Sequence, residues 1–186
     1  KVLLIVVGII VLIGVGGCQF YSGNYNKMVE LDEQVSGAWA QVQNVYQRRM
    51  DLIPNLVETV KGYAKHEKEA FENVTKARSA VMGAKSVEDT AKAEQSMEAA
   101  LGKIFAIAEA YPELKANENF RDLQAQLEGT ENRISVARKT FNDTTQQYNV
   151  SVRSFPANII AMIFGFDQKA YFSADEAAST APKVEF

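Results

Sequence analysis

Val35 to Tyr63 reads VSGAWAQVQNVYQRRMDLIPNLVETVKGY. Within it Val35, Trp39, Val42, Tyr46, Arg49, Ile53, Leu56, Val60 and Tyr63 are separated by alternating steps of four and three. The mean step is about 3.5 residues, the seam that a helix turns toward packed neighbours. Ala70, Val74, Ala77 and Val81 continue the phase. One helix is therefore expected from Met28 to Met82, about 80 Å long at 1.5 Å per residue. Pro54 lies inside it. Proline removes a backbone donor and crowds the preceding turn, so a kink is expected there, not a stop, because the apolar period survives across it.

Toward the C-terminus, Gly83 to Asp89 reads as a turn, with Gly83 as a C-terminal cap and Asp89 capping the next helix. That helix carries Met97, Leu101, Ile104, Ala108 and Tyr111 at the same period, and Tyr111-Pro112 with Asn117-Glu118-Asn119 marks its end. A third helix carries Phe120, Leu123, Leu127, Thr130, Ile134, Ala137, Phe141, Tyr148 and Val152, and Phe155-Pro156 ends or kinks it. Asn158 to Phe166, NIIAMIFGF, is apolar but too short to span a bilayer as a helix. It reads as a capping helix packed on the bundle, or as a segment that dips into the bilayer or contacts another subunit, and Gly165 breaks it. Residues 173–186 read as a mobile tail rich in small and polar residues, with Val184 and Phe186 alternating like a short strand.

Toward the N-terminus, a polar link over 22–26 separates the seam from Val2 to Gly17, VLLIVVGIIVLIGVGG. Twelve of these sixteen residues are Val, Leu or Ile. Together they favour a bilayer by roughly 5 kcal/mol on an insertion scale. Extended through Tyr21, the run comes to about 20 residues, the thickness of the hydrocarbon layer, with Phe20 and Tyr21 where an interfacial aromatic belt belongs. A cleaved signal peptide is a competing reading. A second is a lipoprotein, because Val15-Gly16-Gly17-Cys18 is lipobox-like. The expectation is a retained span with Cys18 unmodified. Lys1 before the run, against Lys27, Glu30, Asp32 and Glu33 after it, favours the N-terminus inside and the bundle outside, periplasmic where an outer membrane exists.

The fold class expected is therefore all-α. A transmembrane helix over 1–21 is followed over 22–172 by an elongated antiparallel bundle of three to four long helices, and then by the tail.

Composition narrows the function. The chain has 186 residues, 47% hydrophobic and 23% charged, which suits one folded domain and excludes disorder as the overall class. A net charge of −3 argues against a nucleic-acid binder. One cysteine rules out an internal disulfide, and one histidine leaves little room for a His-based metal site. No phosphate-cradling glycine loop and no Ser-His-Asp set can be assembled. His66, in Lys65-His66-Glu67-Lys68-Glu69, reads as part of a solvated face, with metal ligation beside Glu67 or Glu69 the lesser alternative. Glu67, Glu69 and Glu72 alternate with Lys61, Lys65, Lys68 and Lys76 as helix-surface pairs do. Arg49 is the exception, a cation on the seam. It either pairs with Asp51, Glu128 or Glu131, or packs its stem while its head reaches water.

Asn24-Tyr25-Asn26, Trp39-Ala40-Gln41-Val42, YQRRMDLIPNLV from Tyr46 to Val57, and Lys61 through Glu67 together resemble the LemA family. Ala77-Arg78, Tyr148-Asn149, Phe155-Pro156, Phe164-Gly165-Phe166, Tyr171-Phe172 and the terminal APKVEF extend the resemblance over nearly the whole chain. The resemblance implies a bacterial membrane protein with an N-terminal span and an extracytoplasmic helical bundle. It implies no enzymatic activity, cofactor, catalytic residue or metal ligand. Two function classes follow. One is a structural or interaction module that meets envelope proteins or copies of itself, with no nucleic-acid partner. The other is an enzyme or ligand sensor, lipid-anchored at Cys18, with an unrecognised pocket. Gly8, Gly14, Gly16 and Gly17 in the span and the run from Ile159 to Phe164 point to a homo-oligomer.

Overall fold

The computed structural model describes residues 2–172; the side chains of 2–6, 9–11, 13, 17, 18 and 20 fall outside the described set. It is all-helical, with no strand among the described residues. In chain order the helices are α1 (Val2–Tyr63), α2 (Lys68–Gly83), α3 (Val87–Ala110), α4 (Pro112–Ala116), α5 (Glu118–Arg153) and α6 (Ala157–Phe164). The chain divides into two compact units. One joins Lys1–Trp39 to Thr140–Ala170 and the other joins Ala40–Lys139 to Tyr171–Phe186.

The unit beginning at Ala40 is built from the second half of α1, then α2, α3, α4 and the first part of α5. Val42, Tyr46, Arg49, Ile53, Leu56 and Val60 are all buried, as the seam requires. The expected single helix to Met82 is instead two helices. The chain leaves α1 after Tyr63, turns through Ala64 to Glu67 and returns as α2. The seam lapses there: between Tyr63 and Ala70 the inward position falls among Lys65, His66, Glu67, Lys68 and Glu69, which offer no apolar side chain to hold a continuing helix against a neighbour. Ala64, fully buried, closes the last turn through its amide on the Val60 carbonyl at 2.9 Å.

α1 runs unbroken through Pro54. Proline has no N–H for the carbonyl four residues back, which is that of Met50. Arg78, reaching across from α2, donates its Nε to the Met50 oxygen at 2.9 Å. The orphaned acceptor in the first arm of the hairpin is satisfied by the second arm.

The turn from α2 to α3 also differs from expectation. Gly83 is the last residue of α2, with Ala84 at the C-cap, and Gly165 is the residue that adopts a positive φ among those described. The N-cap of α3 is Ser86, not Asp89. The Ser86 hydroxyl accepts from the Asp89 amide at 3.0 Å and donates to the Asp89 carboxylate at 2.7 Å, a reciprocal cap that uses both residues. After α3, Pro112 opens the one-turn helix α4, and Asn117 then caps α5 by accepting from the Phe120 amide at 3.0 Å. Tyr63 with Asn117, and Arg49 with Glu131, show that α5 ascends as α1 descends.

In the other unit, Trp39 packs on Phe141, and Met28, Leu31, Val35, Tyr148 and Val152 form the core. α5 ends at Arg153 and α6 follows Pro156, ending at Gly165 in the left-handed conformation (φ 73°). Among the described residues no helix is long and apolar enough to cross a membrane. The expected span over 1–21 is helical from Val2, but most of its side chains, Cys18 included, lie outside the described set. The expected tail over 173–186 lies outside it too.

Candidate functional site

The seam arginine sets the site in the unit beginning at Ala40. Arg49 is 5% exposed, so its head does not reach water. Its Nη1 donates to Glu94 Oε1 at 2.6 Å and also to Glu131 Oε2. Of the partners weighed from sequence, Glu131 is correct. Asp51 instead accepts from Gln47, and Glu128 from Gln124. Glu94 went unanticipated. It lies on an inward position of α3 between Ala93 and Met97 and is only 2% exposed. A carboxylate three residues before a seam methionine was the available signal.

Burial dominates the chemistry here. It pushes the Glu94 carboxyl up to about 7, although Arg49 and the Tyr46 phenol both favour its charged form and Glu131 and Glu98 add repulsion. Tyr46, buried beside it, is held well above the ordinary phenol range, first by burial and then by the Glu94 charge. Neither the Tyr46 hydroxyl, Arg49 Nε nor Glu94 Oε2 completes a hydrogen bond of normal geometry. A buried cation with two carboxylates is thus compensated in charge and incompletely compensated in hydrogen bonding, a costly arrangement to desolvate.

Glu94, Glu98 and Glu131 bring one carboxylate oxygen each within 4.8 Å of one another. Arg49 already pairs with two of the three, so one unit of positive charge already stands among these carboxyl groups. The depression beside Tyr46, lined by Gln43, Met50, Val81 and Thr90, holds about 140 Å³, below the few hundred Å³ typical of a small-molecule site. His66 lies exposed in the turn between α1 and α2. Glu69 and Glu72 are exposed on α2, where the alternating-charge reading places them, and Glu67 is half-buried.

The other unit has its own polar clasp. Asn149, buried on α5, donates Nδ2 to the Lys169 carbonyl and accepts the Lys169 amide at its Oδ1, both at 2.8 Å. The Lys169 ammonium pairs with Asp32 at 2.6 Å and lies 5.2 Å from the Tyr148 ring centre. Burial, then the charges of Asp32 and Asp167, raise the Tyr148 phenol. This clasp binds the segment after α6 to α5.

These features define an all-helical protein with one buried arginine held by carboxylates of two other helices and one buried asparagine clasping backbone. The family model described as "LemA family" matches residues 38–186, and the chain belongs to that family. Among curated relatives it is similar to "Magnetosome protein MamQ" of Magnetospirillum gryphiswaldense, 26% identical over 182 aligned positions covering 84% of this chain and 67% of that one. It is 25% identical to "Magnetosome protein MamQ 2" of Paramagnetospirillum magneticum with the same coverage. It is also 22% identical to "Protein LemA" of Metamycoplasma hominis, over 84% of this chain and 72% of that one.

Proposed function

We propose that the protein is a single-pass bacterial membrane protein that presents its helices outside the cytoplasm as a structural or interaction module, without chemistry of its own. One observation carries this reading. The apolar run Val2–Gly17 and the seam up to Tyr63 belong to a single uninterrupted helix of 62 residues. A run that favours hydrocarbon is thereby joined without a flexible link to the packed part of the chain. The internal use of Arg49 by Glu94 and Glu131 supports a non-enzymatic reading. Self-assembly through the glycine-containing run completes the proposal, since small residues permit close helix approach in lipid. Many copies on one assembly would then raise affinity for an envelope partner through multivalency.

The test is topology and attachment of the full chain. Alkaline phosphatase fused after Phe186 is expected to be active, and the protein to stay in the membrane pellet after alkaline carbonate. A cytoplasmic reporter that is active at the same position, or release by carbonate, overturns the reading. An intact mass that starts at a diacylglyceryl Cys18 replaces the span with a lipid anchor. Sedimentation of the detergent-solubilised chain as a monomer at micromolar concentration removes the self-assembly.

A further inference from the structure

α6 is apolar on both faces. Ala157, Ile160 and Ala161 are buried against the unit. The opposite positions at the same three-and-four spacing, Ile159, Met162 and Ile163, are 49%, 83% and 62% exposed. A helix at a water surface ordinarily carries polar residues on its outer face, whereas one that is apolar all round is covered by something. From Ser154 to Phe166 no residue carries charge, and Arg153 and Asp167 bracket the stretch.

The position of α6 identifies what covers it. Phe164 packs edge-on against Tyr21 and Tyr25, with ring centres 5.6 and 4.8 Å apart, and Phe166 meets Tyr25 at 5.8 Å. Tyr21 is one helical turn past Gly17, about 6 Å along the axis of α1, and Tyr25 about 12 Å. The headgroup layer on each side of a bilayer is roughly 5–8 Å deep. A hydrocarbon layer of about 30 Å filled by the run as extended through Tyr21 ends near Tyr21, which puts Phe164 at the level of the headgroups. Tyrosine, with an apolar ring and a polar hydroxyl, belongs at that depth.

We propose that α6 is an interfacial helix, its Ile159, Met162 and Ile163 face seated at the boundary between the headgroups and acyl chains of the bilayer that the apolar run enters. This rests on the reading of that run as a span. The occupant is lipid and not a second copy of the chain, because the contacts with Tyr21 and Tyr25 fix the face beside the place where α1 meets the membrane. Helices lying at such boundaries bury their lipid-facing side about 5–10 Å deep.

The test uses the full chain reconstituted in phosphatidylcholine–phosphatidylglycerol vesicles, with Trp39→Phe removing the native tryptophan signal. Single reporters are placed by Met162→Trp on α6, Ile10→Trp in the apolar run and Val150→Trp on the exposed side of α5. Lipids brominated on the acyl chains are expected to quench the Met162→Trp and Ile10→Trp reporters and leave Val150→Trp bright. The Met162→Trp emission should shift to the blue and resist aqueous iodide. Quenching of Met162→Trp by iodide and not by brominated lipid overturns the proposal, with the span still supported by Ile10→Trp. Protection of Met162→Trp from both quenchers also overturns it, in favour of a second copy. Loss of lipid quenching at both positions means that the span reading itself has failed. A nitroxide attached through Met162→Cys in a Cys18→Ser chain repeats the depth measurement with Trp39 in place.

Discussion

The two units solve the same problem, antiparallel pairing of α1 with α5, with opposite kinds of interior. In the unit beginning at Ala40 a cation and a carboxylate are sealed in the core, and its helices hold their apolar seams inward. In the unit containing α6 the buried Asn149 grips backbone at Lys169, while large apolar side chains stand outside. The first arrangement ties three helices together at one point and turns inward. The second leaves a surface unfinished. The buried ion pair and the uncharged, exposed apolar stretch therefore lie in different units.

Breaking the first interior should have the largest effect. Arg49→Met leaves Glu94 buried without its cation and is expected to cost about 3–5 kcal/mol at pH 8 in a urea melt. The loss should shrink at pH 5, where Glu94 takes up a proton. A loss that is large and independent of pH would mean that the packing of Arg49 matters and its charge does not.

The next effect is a pH slope. The Glu94 carboxyl has an ordinary value of 4.5 and is raised to about 7 in the folded chain. Between those values the native state holds the extra proton, so the stability contributed by this group is full below pH 4.5 and falls as the pH rises to 7. The expected size is roughly 3 kcal/mol. Glu94→Gln should remove this slope, so the variant gains on the parent chain from pH 4.5 to 7. Parallel pH curves for the two proteins would sink the idea.

The second interior should yield a smaller loss. Asn149→Ala orphans the Lys169 amide and carbonyl together, at an expected cost of about 1–3 kcal/mol. Hydrogen exchange should show the Lys169 amide losing protection while Glu94's neighbours on α3 keep theirs.

Smaller again is the coupling between Arg78 and Pro54. Arg78→Met should destabilise the parent chain, and by about 1 kcal/mol less in a Pro54→Ala background, where residue 54 supplies its own N–H to Met50. Additive effects would show that the Arg78 contact is incidental. The smallest stability change is expected from Met162→Asp, within about 0.5 kcal/mol in urea melts of the detergent-solubilised chain, because that side chain, 83% exposed, packs on little within its own unit.

Much of this was legible in the sequence. Helix content follows from the 3.5-residue period, and so do most inward positions from Val35 to Val60 and from Phe120 to Val152, because burial of a seam is a local pattern; Trp39 and Leu123 are only half-buried, and the buried Thr145 and Asn149 escape an apolar count. The turn at Ala64–Glu67 was misjudged because the four-three phase resumes at Ala70, and phase alone cannot show that the chain has reversed between. Asp89 looked like a cap because Ser86 and Asp89 share the task. Arg49 stands out as anomalous from spacing alone, which offers Glu131 as one of three possible partners beside Asp51 and Glu128. Glu94 could not be paired with it, because that partnership depends on how α3 packs against α1, which periodicity does not encode.

The hydrogen bond from Arg78 to the Met50 carbonyl has a consequence for how the sequence can change. While Pro54 stands, the arginine is held in place, since losing it exposes a carbonyl that α1 cannot satisfy itself. Losing Pro54 first frees both positions, because an ordinary residue there restores the helical bond and the arginine becomes optional. The two sites, separated by a turn and carried on different helices, thus form a one-way route: the proline can leave at any time, the arginine only after it.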